Sequence, residues 1–145
     1  MQERRRQFFR FAAIGVIGFV VDAGVIALLV RVMGLGAYQA RLVSYFFAVA
    51  TTWWFNRRFT FGSTRPPLRE FLEFVAANAF GATINLGAYA AIVSWQGSSG
   101  WIPIAGVAIG SLAGLTTNFM LSSRVVFSTR RLRKSASAAE LERKV

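Results

Sequence analysis

The sequence predicts an all-α integral membrane protein of four transmembrane helices, built as a parallel internal repeat of two helical hairpins with both termini cytoplasmic. Three observations predict it. First, apolar stretches of membrane length alternate with basic clusters: 54% of the 145 residues are hydrophobic, yet the formal net charge is +11. Soluble domains rarely combine these features, whereas membrane proteins place Lys and Arg at the ends of their spans. Second, the cations are unevenly shared. Four precede the first apolar run (Arg4, Arg5, Arg6, Arg10), four follow the second (Arg57, Arg58, Arg65, Arg69) and seven lie from Arg124 onward, against Arg31 and Arg41 alone at the other turns. Because Lys and Arg accumulate on the cytoplasmic side, this 15-to-2 asymmetry puts both termini and the middle loop there. Third, the run Phe8 to Val30 returns 63 positions later as Phe71 to Val93, with seven of 23 residues identical, including Gly18/Gly81 and Gly24/Gly87, and with Asp22 falling on Asn85. A unit of two helices re-enters the membrane the same way round, so the implied pseudo-two-fold axis runs along the membrane normal.

The spans are expected near residues 11–33, 38–56, 71–95 and 101–123, in a membrane domain covering 1–128, with a basic cytoplasmic tail over 129–145. Phe11 to Val30 is enough chain to cross a core of roughly 30 Å. The basic residues before it imitate a signal peptide. The run is too long for an h-region, contains Asp22 and is followed by no A-x-A site, so it reads as an uncleaved first span. Gly34 and Gly36 signal a turn. The second span has Arg41 just inside its start and closes on the aromatic girdle Trp53, Trp54 and Phe55, as at a headgroup interface. Asn56-Arg57-Arg58-Phe59-Thr60-Phe61 follows its end, then a loop, residues 62–68, broken by Pro66 and Pro67.

Residues 74–123 carry no charge, and fifty residues are too many for one span. Gln96 to Gly100 therefore divides them, with Trp95 and Trp101 at the interface and Pro103 in the first turn of the fourth helix, where its missing N–H costs nothing. An offset of 66 relates the second and fourth helices through Thr51/Thr117, Arg58/Arg124 and Phe61/Phe127. Residues 136–145 suit a short surface helix.

The chain has no Cys and no His, which removes thiolate chemistry, the commonest general base and the commonest metal ligand. No nucleophile–base pair, metal cluster or Gly-rich phosphate loop is visible, so no enzyme, metal or cofactor is expected. The net charge invites a nucleic-acid reading. The basic blocks flank apolar runs, however, so topology and contact with anionic lipids account for them and no nucleic-acid partner is expected.

Several polar residues fall inside the spans. An acid at mid-membrane costs about 2.5–3.5 kcal/mol, so Asp22 should face protein or water and have a partner. It is either a coupling site or a hydrogen-bonded packing acid. Arg41, the only cation within the spans, pairs with it only by reaching inward, and the pairing stays open. Asn78, Asn85 and Asn118, with Thr83, Thr116 and Thr117, either line a polar path or hydrogen-bond between helices. The stripe Gly106, Gly110, Gly114 indicates packing or oligomerisation. Arg57, Arg58 and Arg124 suit a lipid phosphate or diphosphate, which guanidinium grips bidentately, set against a plain topological role. Arg58 and Arg124, related by the repeat, stand out.

Taken together, four features resemble the GtrA-like family: Arg10-Phe11 with Gly15, Asp22 midway along the first span, Asn56 to Phe61 after the second, and Asn118-Phe119, Arg124 and Phe127 at the end of the fourth. The resemblance covers about residues 8–128. Arg41 is not among the residues that carry it, and Ser122-Ser123 stands where the repeat would place a second Asn-Arg. The resemblance implies a bacterial-type, multi-pass inner-membrane protein that flips a polyprenyl-phosphate-linked sugar to the outer leaflet for cell-surface polysaccharide synthesis. A partner glycosyltransferase would load the lipid. Arg57, Arg58 and Arg124 would hold the phosphate, and Asp22, Asn78, Asn85, Asn118 and Arg41 would line the headgroup path. Four helices enclose little volume, so a homodimer is attractive. Two alternatives stand beside this: a membrane adaptor for a polyprenyl-phosphate glycosyltransferase, and a small multidrug or cation exporter.

Overall fold

A computed structural model describes residues 2–96 and 101–128. The expected tail and surface helix, and residues 97–100 of the third turn, lie outside these. The described residues are helical, with four α-helices and two π-helical turns: α1 (Gln2–Arg31), α2 (Ala37–Phe55), π1 (Asn56–Phe61), α3 (Pro67–Gln96), α4 (Ile102–Leu121) and π2 (Ser122–Val126). They form two compact units, Met1–Gly62 and Ser63–Val145. Each is a helical hairpin whose second helix ends in a π-turn.

In the first unit, Phe11, Ile14 and Gly18 are buried on α1. Their i, i+3, i+7 spacing makes one stripe on a helix of 3.6 residues per turn. The opposing stripe is small or polar and recurs every fourth residue: Ala40, Ser44, Ala48, Thr52, Asn56 and Thr60. Such a row lets backbones approach closely. At Gly18 a methyl group would collide with Thr52 Cγ2, so with Thr52 opposite this crossing calls for glycine. An every-four row drifts around an α-helix. The wider π-turn compensates, so Asn56 and Thr60 still point inward and are buried. Thr60 Oγ1 donates to Asn56 Oδ1 at 3.0 Å within the turn. Gly62, at φ 57° and ψ 42°, ends it in the left-handed region that favours glycine.

The second unit uses the same devices. Phe74, Ala77 and Gly81 are buried on α3. The every-four row on α4 is Gly106, Gly110, Gly114, Asn118, Ser122 and Val126, continuing into π2. Gly110 and Gly114 press on the Asn85 backbone and the Gly81 carbonyl, where an added Cβ would sit 2.6 Å and 2.8 Å from those oxygens. The glycine stripe is therefore spent on packing within the hairpin. At the π end, Phe11 meets Phe61 edge-on at 6.3 Å in one unit, and Phe74 meets Phe127 at 5.8 Å in the other. These pairs are related by the same offsets of 63 and 66 that relate the sequences.

Several expected boundaries move. The first helix begins at Gln2, not near residue 11, because the Arg, Glu and Gln residues before Phe11 are good helix formers that continue its first turns. The third begins at Pro67, inside the expected loop, since proline suits a first helical position. Residues 56–61 and 122–126 do not follow helix ends but prolong α2 and α4 as π-turns.

Large apolar side chains point outward along every helix, among them Phe19, Leu42, Leu86 and Leu112. Among the described residues, three segments can cross a membrane by length and composition: Gln2–Arg31, Pro67–Gln96 and Ile104–Val126. The α2 helix falls short because Arg41, Gln39, two tyrosines and two tryptophans dilute its 19 residues.

Candidate functional site

The π end of the first hairpin holds an open groove of about 460 Å³ lined by Arg10, Ala13, Ile14, Phe55, Arg58 and Phe59. Residues 10, 13 and 14 share one face of α1, and residues 55, 58 and 59 share one face where α2 passes into π1. Arg10 Nη1 donates to the Phe59 carbonyl at 3.1 Å, covering one of the orphan oxygens at the helix end. This leaves most of its five donors unspent. The Arg58 guanidinium is exposed and makes no hydrogen bond or ion pair with the described residues. The groove thus sets two guanidinium groups beside aromatic and aliphatic walls. That arrangement suits an anionic group attached to an apolar chain.

The second unit carries a corresponding groove of about 270 Å³, lined by Glu73, Ala76, Ala77, Leu121, Val125 and Val126. Five of these six lie 63 or 66 positions after Arg10, Ala13, Ile14, Phe55 and Phe59. Its chemistry is opposite, since an acid replaces Arg10. Arg65, only 5% exposed, takes over the capping role. Its Nη1 donates to the Val125 carbonyl at 2.9 Å and also to that of Val126, while Nη2 donates to Glu73 Oε1 at 3.1 Å. The Arg65–Glu73 ion pair closes at 2.8 Å, and Arg69 Nε adds a bond to Glu73 at 3.1 Å. Glu70 is fully buried and accepts a hydrogen bond from Ser63 Oγ.

Of the other residues singled out, Asp22 and Arg41 are brought together as an ion pair between α1 and α2, with side chains 16% and 59% exposed. The Gly18–Thr52 register sets Ala48 across from Asp22. Arg41 therefore starts seven residues nearer the turn, about 10 Å at 1.5 Å per residue, and reaches inward. Asp22 Oδ1 stays buried without a hydrogen bond from the described residues. Asn85 packs against Gly110 and Gly114, and Asn118 against Gly81. Asn78 and Thr83 bond back to the carbonyls of Phe74 and Ala79 on their own helix. Arg57 lies over Trp53 at 5.7 Å, a cation–π contact. Arg124 is exposed and does not line the second groove. Arg58 and Arg124 belong to different units.

Two elements of the site were not singled out from sequence. Arg10 enters the sequence reading as a topological cation and as part of the Arg10-Phe11 family motif but not as a ligand-binding residue, although its spacing from Ala13 and Ile14 marks a shared face. The Arg65–Glu73 clamp was likewise hidden among loop charges. Its signal is Glu70 and Glu73, two of only six acids in the chain, beside Arg65 and Arg69. Compared with known proteins, residues 10–127 match the family described as GtrA/DPMS, transmembrane domain. No individual curated protein matches the chain.

Proposed function

Because the chain belongs to the GtrA/DPMS transmembrane-domain family, we propose that it translocates a polyprenyl-phosphate-linked sugar across the cytoplasmic membrane for cell-surface glycan synthesis. The observation that carries this reading is the groove of the first unit, where Arg58 lies uncommitted beside Arg10 and two phenylalanines. Guanidinium groups meet the phosphate, and the apolar walls meet the first isoprene units. The polar residues within the helices are the candidates for the sugar's path, Asp22 and Arg41 in the first unit and Asn78, Asn85 and Asn118 in the second. The polyprenyl tail stays in lipid.

The same reading orders the chain in the membrane. Contacts between residues 10 and 59 and between 22 and 41 run in opposite senses, so α2 returns alongside α1. If α1 crosses, α2 crosses with it despite its composition, giving four spans, and the repeat makes the second hairpin a copy inserted the same way. The charge asymmetry assigns the π ends, both termini and the middle loop to the cytoplasm. A glycosyltransferase that loads the lipid is the expected partner, and a homodimer supplies the volume one chain lacks.

Reconstituted protein in vesicles, given a short-chain polyprenyl-phosphate sugar in one leaflet, is expected to deliver it to the other. Asp22→Asn should slow the crossing at least tenfold. No crossing by folded protein over a panel of sugars would eliminate the translocator and leave the adaptor for a glycosyltransferase.

A further inference from the structure

We infer that the chain binds one lipid-borne phosphate, held between Arg10 and Arg58 in the first unit, and that Glu73 excludes a second from the corresponding groove. The inference rests on the proposed reading that the ligand is a prenyl phosphate, and adds which residues hold it and how many are held. The comparison of the two grooves carries it.

Both grooves place a guanidinium on an equivalent carbonyl at the end of the π-turn: Arg10 on Phe59 in one, Arg65 on Val125 in the other. In the second unit a carboxylate closes the arrangement, because Glu73 occupies the position of Arg10 and pairs with Arg65 and Arg69. In the first unit no carboxylate is in reach. The acids of its described residues are Glu3 and Asp22. Glu3 lies seven residues before Arg10 along α1, about 10 Å away, roughly a Debye length in physiological salt. Asp22 is about 18 Å along the same helix and is taken by Arg41. One groove supplies its own counter-anion and the other does not.

Groove shape selects the source of the anion. Free phosphate would use the guanidinium groups alone, whereas the walls of Ala13, Ile14, Phe55 and Phe59 are apolar. A prenyl phosphate uses both. Arg124, the repeat partner of Arg58, lies outside the lining of its groove and has Glu73 as the local charge there.

Equilibrium binding of farnesyl phosphate to the full chain in neutral detergent tests this. One molecule per chain is expected, with at least tenfold weaker binding for Arg10→Ala and for Arg58→Ala and a change under twofold for Arg124→Ala. Arg10→Lys keeps the charge without the planar fork and should fall between wild type and Arg10→Ala. Should Arg10→Ala fail to fold, Arg58→Ala and Arg10→Lys carry the test. Two molecules per chain, or loss in Arg124→Ala with none in Arg58→Ala, would overturn the inference. So would displacement by inorganic phosphate or phosphatidylglycerol at equal concentration, the first meaning a free-phosphate site and the second general headgroup contact. Binding as expected without translocation removes only the transport reading. Translocation with unchanged binding in both arginine variants removes only this inference.

Discussion

At the residue scale, glycine does its work at crossings rather than in turns alone. Gly18 and Gly81 lie 63 positions apart, and in both places a β-carbon would strike the residue opposite, Thr52 or Asn118. The Thr52 hydroxyl bonds to the carbonyls of Ala48 and Val49, each at 3.0 Å, so its methyl group is held against α1. Gly18→Ala is expected to cost about 1–3 kcal/mol, the range for overpacking a fitted contact. Thr52→Ser keeps both hydrogen bonds and removes the methyl. Combined with Gly18→Ala it should recover most of the loss, with a coupling above about 0.5 kcal/mol in a double-mutant cycle. Simple additivity in thermal unfolding of the detergent-solubilised protein would mean that the two residues do not touch.

At the element scale, both hairpins have to finish a helix whose last carbonyls lack partners, and they solve this differently. The first uses Arg10 from the start of α1. The second uses Arg65 from the loop before α3, locked by Glu73. Arg65 is buried, so its removal takes the donor from two carbonyls and leaves the Glu73 carboxylate with only the exposed Arg69. Losing one partner of a buried pair costs about 3–5 kcal/mol. Arg69 binds the same carboxylate but is 65% exposed, and an exposed pair of this kind contributes about 0–1 kcal/mol. Arg65→Ala should therefore destabilise the protein strongly and Arg69→Ala hardly at all. Equal effects in denaturant titration would show that the clamp is a surface feature.

At the scale of the whole molecule, the prediction concerns sidedness. The chain contains no cysteine, so single cysteines can be introduced without removing native ones. Tyr38 is 90% exposed at the start of α2, and Thr64 is exposed in the loop before α3. In sealed cells, a membrane-impermeant maleimide should label Tyr38→Cys. It should reach Thr64→Cys only after the membrane is opened. Labelling of both from outside would show that α2 does not cross.

The helical class, the turn at Gly34 and Gly36, the charge asymmetry and the family are legible in the linear sequence. Each is a property of residues counted along a line: run length, hydropathy, spacing and sign. Which charges are committed and which remain available is settled by the packing of the helices. Arg10, Arg58, Arg65 and Arg69 look alike in the sequence, as cations beside apolar runs. Whether a guanidinium caps a carbonyl, meets a carboxylate or stays open depends on the register between two helices, where one residue of slip turns a side chain by about 100°. The same register brought Arg41 to Asp22 and set Glu73 where the first unit has Arg10. The π-turns were also illegible, because a single wider turn leaves the hydrophobic pattern nearly unchanged while re-aiming the side chains that follow it.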